Sequence, residues 1–266
     1  VIINCFNGEE YLKDAVESVI KQTHKNWEII FWDNLSNDGS ASIIKSYNDK
    51  RIKYYLAKKF TNLHRARNQA IKKCNGSFIT FLDTDDVWES TKLKLQLKKF
   101  QNKNINFVYG NCWLINDSYI FKKKIFSNEL LPIGQVTKLL LKNNFISLPT
   151  IMIRKLALKK LKYFFDERYK IIGDFDLSFR LSLNNQFECI QEPIANYRIH
   201  VNSYSYQNRE TEIKELIMWF KRLKRKKLNK KLLSTQQIKE FSIRIKMIEC
   251  LYGKRNTNLL KKIYFL

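Results

Sequence analysis

The stretch Asn75-Gly76-Ser77-Phe78-Ile79-Thr80-Phe81-Leu82-Asp83-Thr84-Asp85-Asp86-Val87-Trp88 decides how the rest of the chain is read. Asn-Gly opens a short run of β-branched and aromatic residues, and three carboxylates within four positions close it. This is the pattern of a buried strand that delivers acids to its carboxyl-end edge, where α/β sheets bind ligands. Three carboxylates so close repel one another and stay ionised at little cost only when a strong positive partner sits among them. A divalent cation is the first expectation. An acidic cap on a helix beginning near Val87 is the alternative. A calcium EF-hand loop does not fit, because Trp88 stands where it needs Gly and Lys94 where it needs Glu.

On the amino-terminal side the strand and helix patterns alternate. Val1-Ile2-Ile3 reads as a strand, and because it opens on Val rather than Met the first strand is expected to begin before Val1. A turn at Asn7-Gly8 follows, then a helix with Leu12, Ala15, Val16 and Val19 on one face. Trp27 to Trp32 is a second strand that runs into the polar loop Asp33 to Ser40, where a helix to Tyr47 begins. Ile52 to Leu56 is a third strand, and Asn62 to Asn68 leads into a helix through Ile71. Such alternation implies a mostly parallel sheet.

On the carboxyl side the spacing predicts a helix over 92–103, a strand at 107–109, a helix at 135–142, a strand at 150–153 and a helix at 176–183. The region 111–206 is otherwise irregular and reads as an α+β elaboration. From about Glu210 the pattern is helical, with Leu216, Trp219, Phe220 and Leu223 on one stripe and Ile238, Phe241, Ile245 and Ile248 on another. The expected organisation is one domain in two halves, 1–110 and 111–206, followed by a basic amphipathic helical tail (207–266).

Composition limits the partners. The 266 residues carry a formal net charge of +24, which predicts attraction to something anionic. No helix-turn-helix, zinc or aromatic RNA-binding pattern is present, so no specific nucleic-acid partner is expected. Residues 216–231, where Trp219 and Phe220 adjoin a dense Lys/Arg run, suit anionic lipid headgroups instead. No apolar run reaches the roughly 18 residues of a spanning helix and no leader is visible. The five scattered cysteines suggest neither disulfides nor zinc. The expectation is a cytoplasmic protein, peripheral on the inner face of the plasma membrane.

Taken in order, the motifs resemble family 2 glycosyltransferases, inverting enzymes with a GT-A nucleotide-sugar-binding fold. The resemblance rests on Ile2 to Leu12, Trp27 to Ser40, Ala66-Arg67-Asn68, Phe81 to Asp86, Gly173-Asp174-Phe175-Asp176-Leu177 and Tyr197-Arg198-Ile199-His200. It implies a donor site for a nucleotide-diphosphate sugar, expected to be a UDP-sugar, built from Asn7, Asp33, Asn34, Arg67, Asp83, Asp85 and Asp86. It implies Mn²⁺ or Mg²⁺ held by Asp85 and His200, and imidazole suits Mn²⁺ better than Mg²⁺. Asp174 would be the catalytic base, with Gly173 where the family frequently has Glu, and Asp176 would cap a helix starting at Leu177. The second acid expected after the second strand is here Asn34. The resemblance makes 1–110 the nucleotide-sugar-binding half and 111–206 the acceptor-binding and catalytic half, and the acceptor would be a glycan or lipid-linked glycan in cell-surface polysaccharide synthesis. His24 and His64 would be surface residues. A haloacid dehalogenase-type phosphatase with Asp83 as nucleophile is the competing enzyme, because Asp83 to Val87 also fits its motif.

Overall fold

A computed structural model describes residues 1–116 and 123–225, together with 239–240, 242–243 and 246. All four residues of the second stripe of the expected tail, Ile238, Phe241, Ile245 and Ile248, lie outside the described residues.

The first half is three βα steps. Strand β1 (Ile2–Cys5) is followed by α1 (Glu9–Ile20), β2 (Ile29–Asp33) by α2 (Ser40–Lys45), and β3 (Ile52–Leu56) by α3 (Leu63–Lys73). The strands form a parallel sheet in the order β1-β2-β3. The chain then enters β4 (Phe78–Thr80), whose continuation at Phe81 bridges Ile2 in parallel, with Leu82 N–H donating to the Ile2 carbonyl at 3.0 Å. That contact carries the Asp83–Asp86 turn to the carboxyl edge beside β1.

The second half begins with β5 (Val87–Trp88) and α4 (Lys92–Lys99). It continues through β6 (Phe107–Asn116), β7 (Lys123–Ile125), α5 (Thr137–Lys142), β8 (Met152–Arg154) and α6 (Lys155–Lys159). Helix α7 (Gly173–Ser182), strand β9 (Phe187–Ile199), and helices α8 (Tyr204–Gln207) and α9 (Arg209–Arg225) complete the described chain. Its mixed sheet runs β4-β8-β6-β9-β5, with β6 and β9 parallel.

Alternation along β1 sorts the core into two layers, as period-two side chains require. Ile2 faces one layer with Ile30, Phe81 and Phe107; Ile3 faces the other with Val16, Phe31 and Val108. Lys92 is fully buried, its amine donating to Thr80 Oγ1 (3.1 Å) and Gln96 Oε1 (2.7 Å) over the Trp88 ring.

Four expectations are corrected. Asp85 and Asp86 lie in a turn before a strand, so they cap no helix. Helix α7 starts at Gly173 rather than near Leu177; Asp176 is therefore one turn inside it, where it pairs with Arg180 at 2.7 Å. His64 is fully buried. Trp219 and Phe220 are also buried in the core, Trp219 against Phe175 and Phe179 of α7, so the aromatic part of the 216–231 segment faces protein rather than lipid. Strand β9 has no counterpart in the expected elements because register shifts opposite Gly110–Trp113 break its alternation. A Cβ on Gly110 would stand 2.6 Å from Ile194 Cδ1, so the close approach of β6 and β9 requires glycine there.

Candidate active site

Every residue of the proposed donor site lies at the carboxyl ends of β1, β2 and β4, or on the helix and strand that pack over them. The two left-handed residues of the region, Asn7 (φ 54°) and Leu35 (φ 69°), turn the loops after β1 and β2 toward each other. The loops then lock together. Asn7 Oδ1 accepts the Asn37 N–H at 2.9 Å, Asn7 N–H donates to Ser36 Oγ at 3.0 Å, and Glu9 N–H donates to Asp38 at 3.0 Å.

Asp33 ends β2 fully buried, accepting from Ser36 N–H and from the Tyr54 hydroxyl, both at 2.8 Å. Burial and this carboxylate together push the Tyr54 phenol up to about 12. Asn34 is also buried, and its amide binds Thr61 in both directions, donating to the carbonyl at 2.7 Å and accepting from the N–H at 3.3 Å. Asn34 thus braces the segment after β3. An amide can do this with both donor and acceptor, whereas a carboxylate could only accept.

Two exposed aromatics outside the expected donor set flank this pair. Phe6 (51% exposed) and Phe60 (58% exposed) meet edge-to-face with centroids 4.7 Å apart. Large apolar rings left in water beside buried polar residues are available for stacking on a planar ligand. The available clue in the sequence is a lone Phe in each of two otherwise polar carboxyl-end loops.

Arg67 of α3, only 3% exposed, donates to Asp83 Oδ1 at 2.6 Å. Asp85 Oδ2 and His200 Nε2 lie 3.0 Å apart, and Asp86 Oδ1 accepts the Arg198 backbone N–H at 2.9 Å. The end of β9 is therefore fastened to the acidic turn. Burial raises the Asp85 carboxyl, with Asp83 adding to the effect and His200 opposing it; Asp86 is raised further by burial and by Asp85. Such crowding of buried acids is tolerable only with positive charge nearby. The Tyr11 ring of α1 packs against both the His200 ring (5.4 Å) and the Arg198 guanidinium (4.3 Å).

The facing carboxylate and imidazole of Asp85 and His200 are a donor set that suits Mn²⁺. Among the described residues no group of three or more His, Cys, Asp or Glu side chains is arranged to hold a metal ion. Any ion there would take its remaining ligands from the donor's phosphates and water.

Asp174 is half-buried in the first turn of α7, with Oδ1 accepting the Phe175 N–H at 2.8 Å. Burial raises its carboxyl, while Arg67 pulls it down and Asp83 pushes it up. Arg67 thus stands electrostatically between the acidic turn and Asp174. The preceding Gly173 is where it is because a Cβ would overlap the His64 ring, whose Nε2 accepts the Gly173 N–H at 3.2 Å. The histidine occupies the space into which a Glu at 173 would project.

A parallel βαβ half ending in a carboxylate turn, with a histidine brought back onto it by a late strand, defines a nucleotide-sugar transferase of the GT-A type. The chain belongs to glycosyl transferase family 2, whose family model matches residues 1–162. It is 29% identical over 219 residues, 80% of this chain and 83% of that protein, to the UDP-Glc:alpha-D-GlcNAc-diphosphoundecaprenol beta-1,3-glucosyltransferase WfgD of Escherichia coli. It is 27% identical over 238 residues to the amylovoran biosynthesis glycosyltransferase AmsB of Erwinia amylovora, covering 84% of this chain and 77% of AmsB. Among solved structures it shares its fold with Staphylococcus aureus TarS in complex with UDP (TM-score 0.63, 20% identity, 81% of this chain, 64% of that one). It also superposes on the mannosyltransferase PcManGT of Pyrobaculum calidifontis in complex with GDP-Man and Mn²⁺ (TM-score 0.64, 14% identity, 85% of this chain, 63% of that one). The chain spans less than two thirds of either structure. Membership of this family sets aside the phosphatase reading, and the Arg67 ion pair on Asp83 is ill suited to a free nucleophile there.

Proposed function

We propose that this glycosyltransferase moves a hexose, with inversion, from a UDP-sugar to a hydroxyl of a lipid-linked glycan in surface polysaccharide synthesis. The observation that carries the reading is the facing of Asp85 and His200 beside the Arg67–Asp83 pair, with Asp174 within electrostatic reach of the same arginine. The donor and acceptor named for WfgD support the choice of substrates.

In this reading Phe6 and Phe60 stack on the base, and Asn7, Asp33 and Asn34 shape the pocket around it. Arg67 and Asp83 order the sugar-diphosphate end, while Asp85 and His200 hold the divalent ion with Asp86 fixing the turn. Mn²⁺ or Mg²⁺, when bound, would offset the charge of the departing diphosphate. Asp174 takes the proton from the acceptor hydroxyl as its oxygen attacks the anomeric carbon, and the bond to the diphosphate breaks with its electron pair leaving on the nucleotide. Burial serves this role, since a carboxyl held above its ordinary range is a better base.

No helix among the described residues is long and apolar enough to cross a membrane. Access to a lipid-linked acceptor would then use the basic surface, with residues 226–231 of the basic run outside the described residues.

The test is a screen of UDP-, GDP- and dTDP-sugars with Mn²⁺ by thermal shift, followed by UDP release on adding GlcNAc-diphosphoundecaprenol. Stabilisation by a UDP-sugar and acceptor-dependent UDP release are expected. Hydrolysis of p-nitrophenyl phosphate with no donor binding would overturn the reading.

A further inference from the structure

The backbone just before Asp174 presents four consecutive N–H groups, from Lys170 to Gly173, and their acceptors come from two distant helices. Glu215 of α9 takes three: Oε1 accepts from Lys170 at 2.5 Å, and Oε2 accepts from Ile171 at 2.9 Å and Ile172 at 3.2 Å. His64 of α3 takes the fourth. One turn along the same face of α9, Trp219 Nε1 donates to Asp176 Oδ1 at 2.9 Å. Helix α9 therefore grips α7 on both sides of Asp174, through side chains that are 5% (Glu215) and 4% (Trp219) exposed.

Helices ordinarily satisfy their first N–H groups with a local cap such as Ser or Asp. Here the cap position is Ile172, which offers no side-chain acceptor. The entry to α7 is consequently shaped by tertiary partners. A carboxylate that binds three successive N–H groups fixes the backbone direction from which the Asp174 side chain leaves.

We infer that Glu215 is a positioning residue for the base, which makes α9, beyond the 1–162 stretch that matches the family model, a working part of the active site. This rests on Asp174 being the base. Glu215 touches neither donor nor acceptor in this scheme. It acts by holding the carboxylate of Asp174 at the angle and distance that proton transfer requires, and base displacements on the order of 1 Å cost about 100-fold in rate.

The full chain tests it, using whichever of UDP-glucose, UDP-galactose and UDP-GlcNAc gives measurable UDP release with Mn²⁺, hydrolysis included. Glu215→Gln keeps the shape and loses one acceptor; Glu215→Ala removes both. For each, kcat should fall about 10- to 100-fold while the Kd for UDP with Mn²⁺ stays within about twofold, the size expected for a residue acting through another. Lys214→Ala, on the exposed face of the same turn, should match wild type. All rates are read at a temperature where thermal unfolding shows the variant folded. An unchanged kcat, a loss matched by loss of UDP affinity, or failure of both variants to fold would each overturn the inference. Asp174→Asn is run alongside: turnover retained there removes the base itself, whereas turnover lost there and kept in both Glu215 variants removes only the role of Glu215.

Discussion

Asp85 and His200 are separated by 115 positions in sequence and by 3.0 Å in space, between Oδ2 and Nε2. The long strand β9 makes this possible by running past the acidic turn, where Arg198 donates both its backbone N–H to Asp86 and its side chain to the Asp85 carbonyl. The pair is the structural basis for expecting divalent-metal dependence. Chelation with EDTA should stop turnover and added Mn²⁺ should restore it. His200→Ala and Asp85→Asn should each weaken metal-supported UDP binding about 10- to 100-fold, measured by calorimetry with and without Mn²⁺. Equal UDP affinity in both conditions for the wild type would refute a metal at this pair.

Arg67 bonds Asp83 at 2.6 Å and also pulls down the carboxyl of Asp174. Arg67→Lys keeps the charge but loses the planar fork, and should reduce donor affinity less than Arg67→Ala. The alanine variant leaves Asp83 without its partner beside Asp85, a cost of about 1–3 kcal/mol in stability. Urea titration gives that number, and a wild-type midpoint for Arg67→Ala would show that the pair contributes nothing.

In the proposed mechanism, proton abstraction needs Asp174 ionised. Burial places its carboxyl above the ordinary 3.8, so kcat should rise with pH through an acid limb displaced upward from that value, then level off. Asp174→Asn should abolish transfer and leave UDP binding near wild type. A limb at or below the usual carboxylate range would assign it to a different group.

His64 carries a pH signature of folding rather than of chemistry. Burial drops its imidazole to about 3, well below the ordinary 6.5, so the folded state prefers it neutral. Stability from this residue is complete above about pH 6.5. It is lost as pH falls from there toward about 3, at roughly 1.4 kcal/mol per pH unit, because the unfolded chain binds the proton first. His64→Gln should flatten this part of the stability curve relative to wild type, as denaturant midpoints at several pH values would show; parallel curves would contradict the assignment.

Phe6→Ala and Phe60→Ala should each weaken UDP binding by about 1 kcal/mol or more, the range for one aromatic ring stacked on a base. The effect should be as large for UDP as for UDP-sugars. A loss confined to the sugar nucleotide would move these rings away from the base.

The first four strands and three helices were legible because their signals are local. Period-two and period-3.6 patterns punctuated by Asn-Gly and polar loops read the same way in the structure as in the sequence. The acidic stretch was legible as a strand running into a polar turn for the same reason, whereas the roles given to Asp174 and His200 come from their resemblance to family motifs and are proposals. Strand β9 was not, because the register shifts that fit it to β6 alter which residues face inward, and Pro193 sits beside one of them.

The amphipathic stripe of α9 marks the limit of a one-dimensional reading. Its spacing shows that Trp219, Phe220 and Leu223 share a face, and it cannot say whether that face meets lipid or protein. Its partners, Phe175 and Phe179, belong to another element of the fold. Local pattern along the chain was enough for the order of the βα units and the acids at their ends, and the resemblance of those motifs to a family supplied the chemical class. Packing in three dimensions was needed to bury His64 against Gly173, to pair Arg67 with Asp83 within electrostatic reach of Asp174, and to set Glu215 on the entry of the helix bearing Asp174. These are contacts between residues distant in the chain, and burial and hydrogen-bond partnership of that kind arise only when the layers pack.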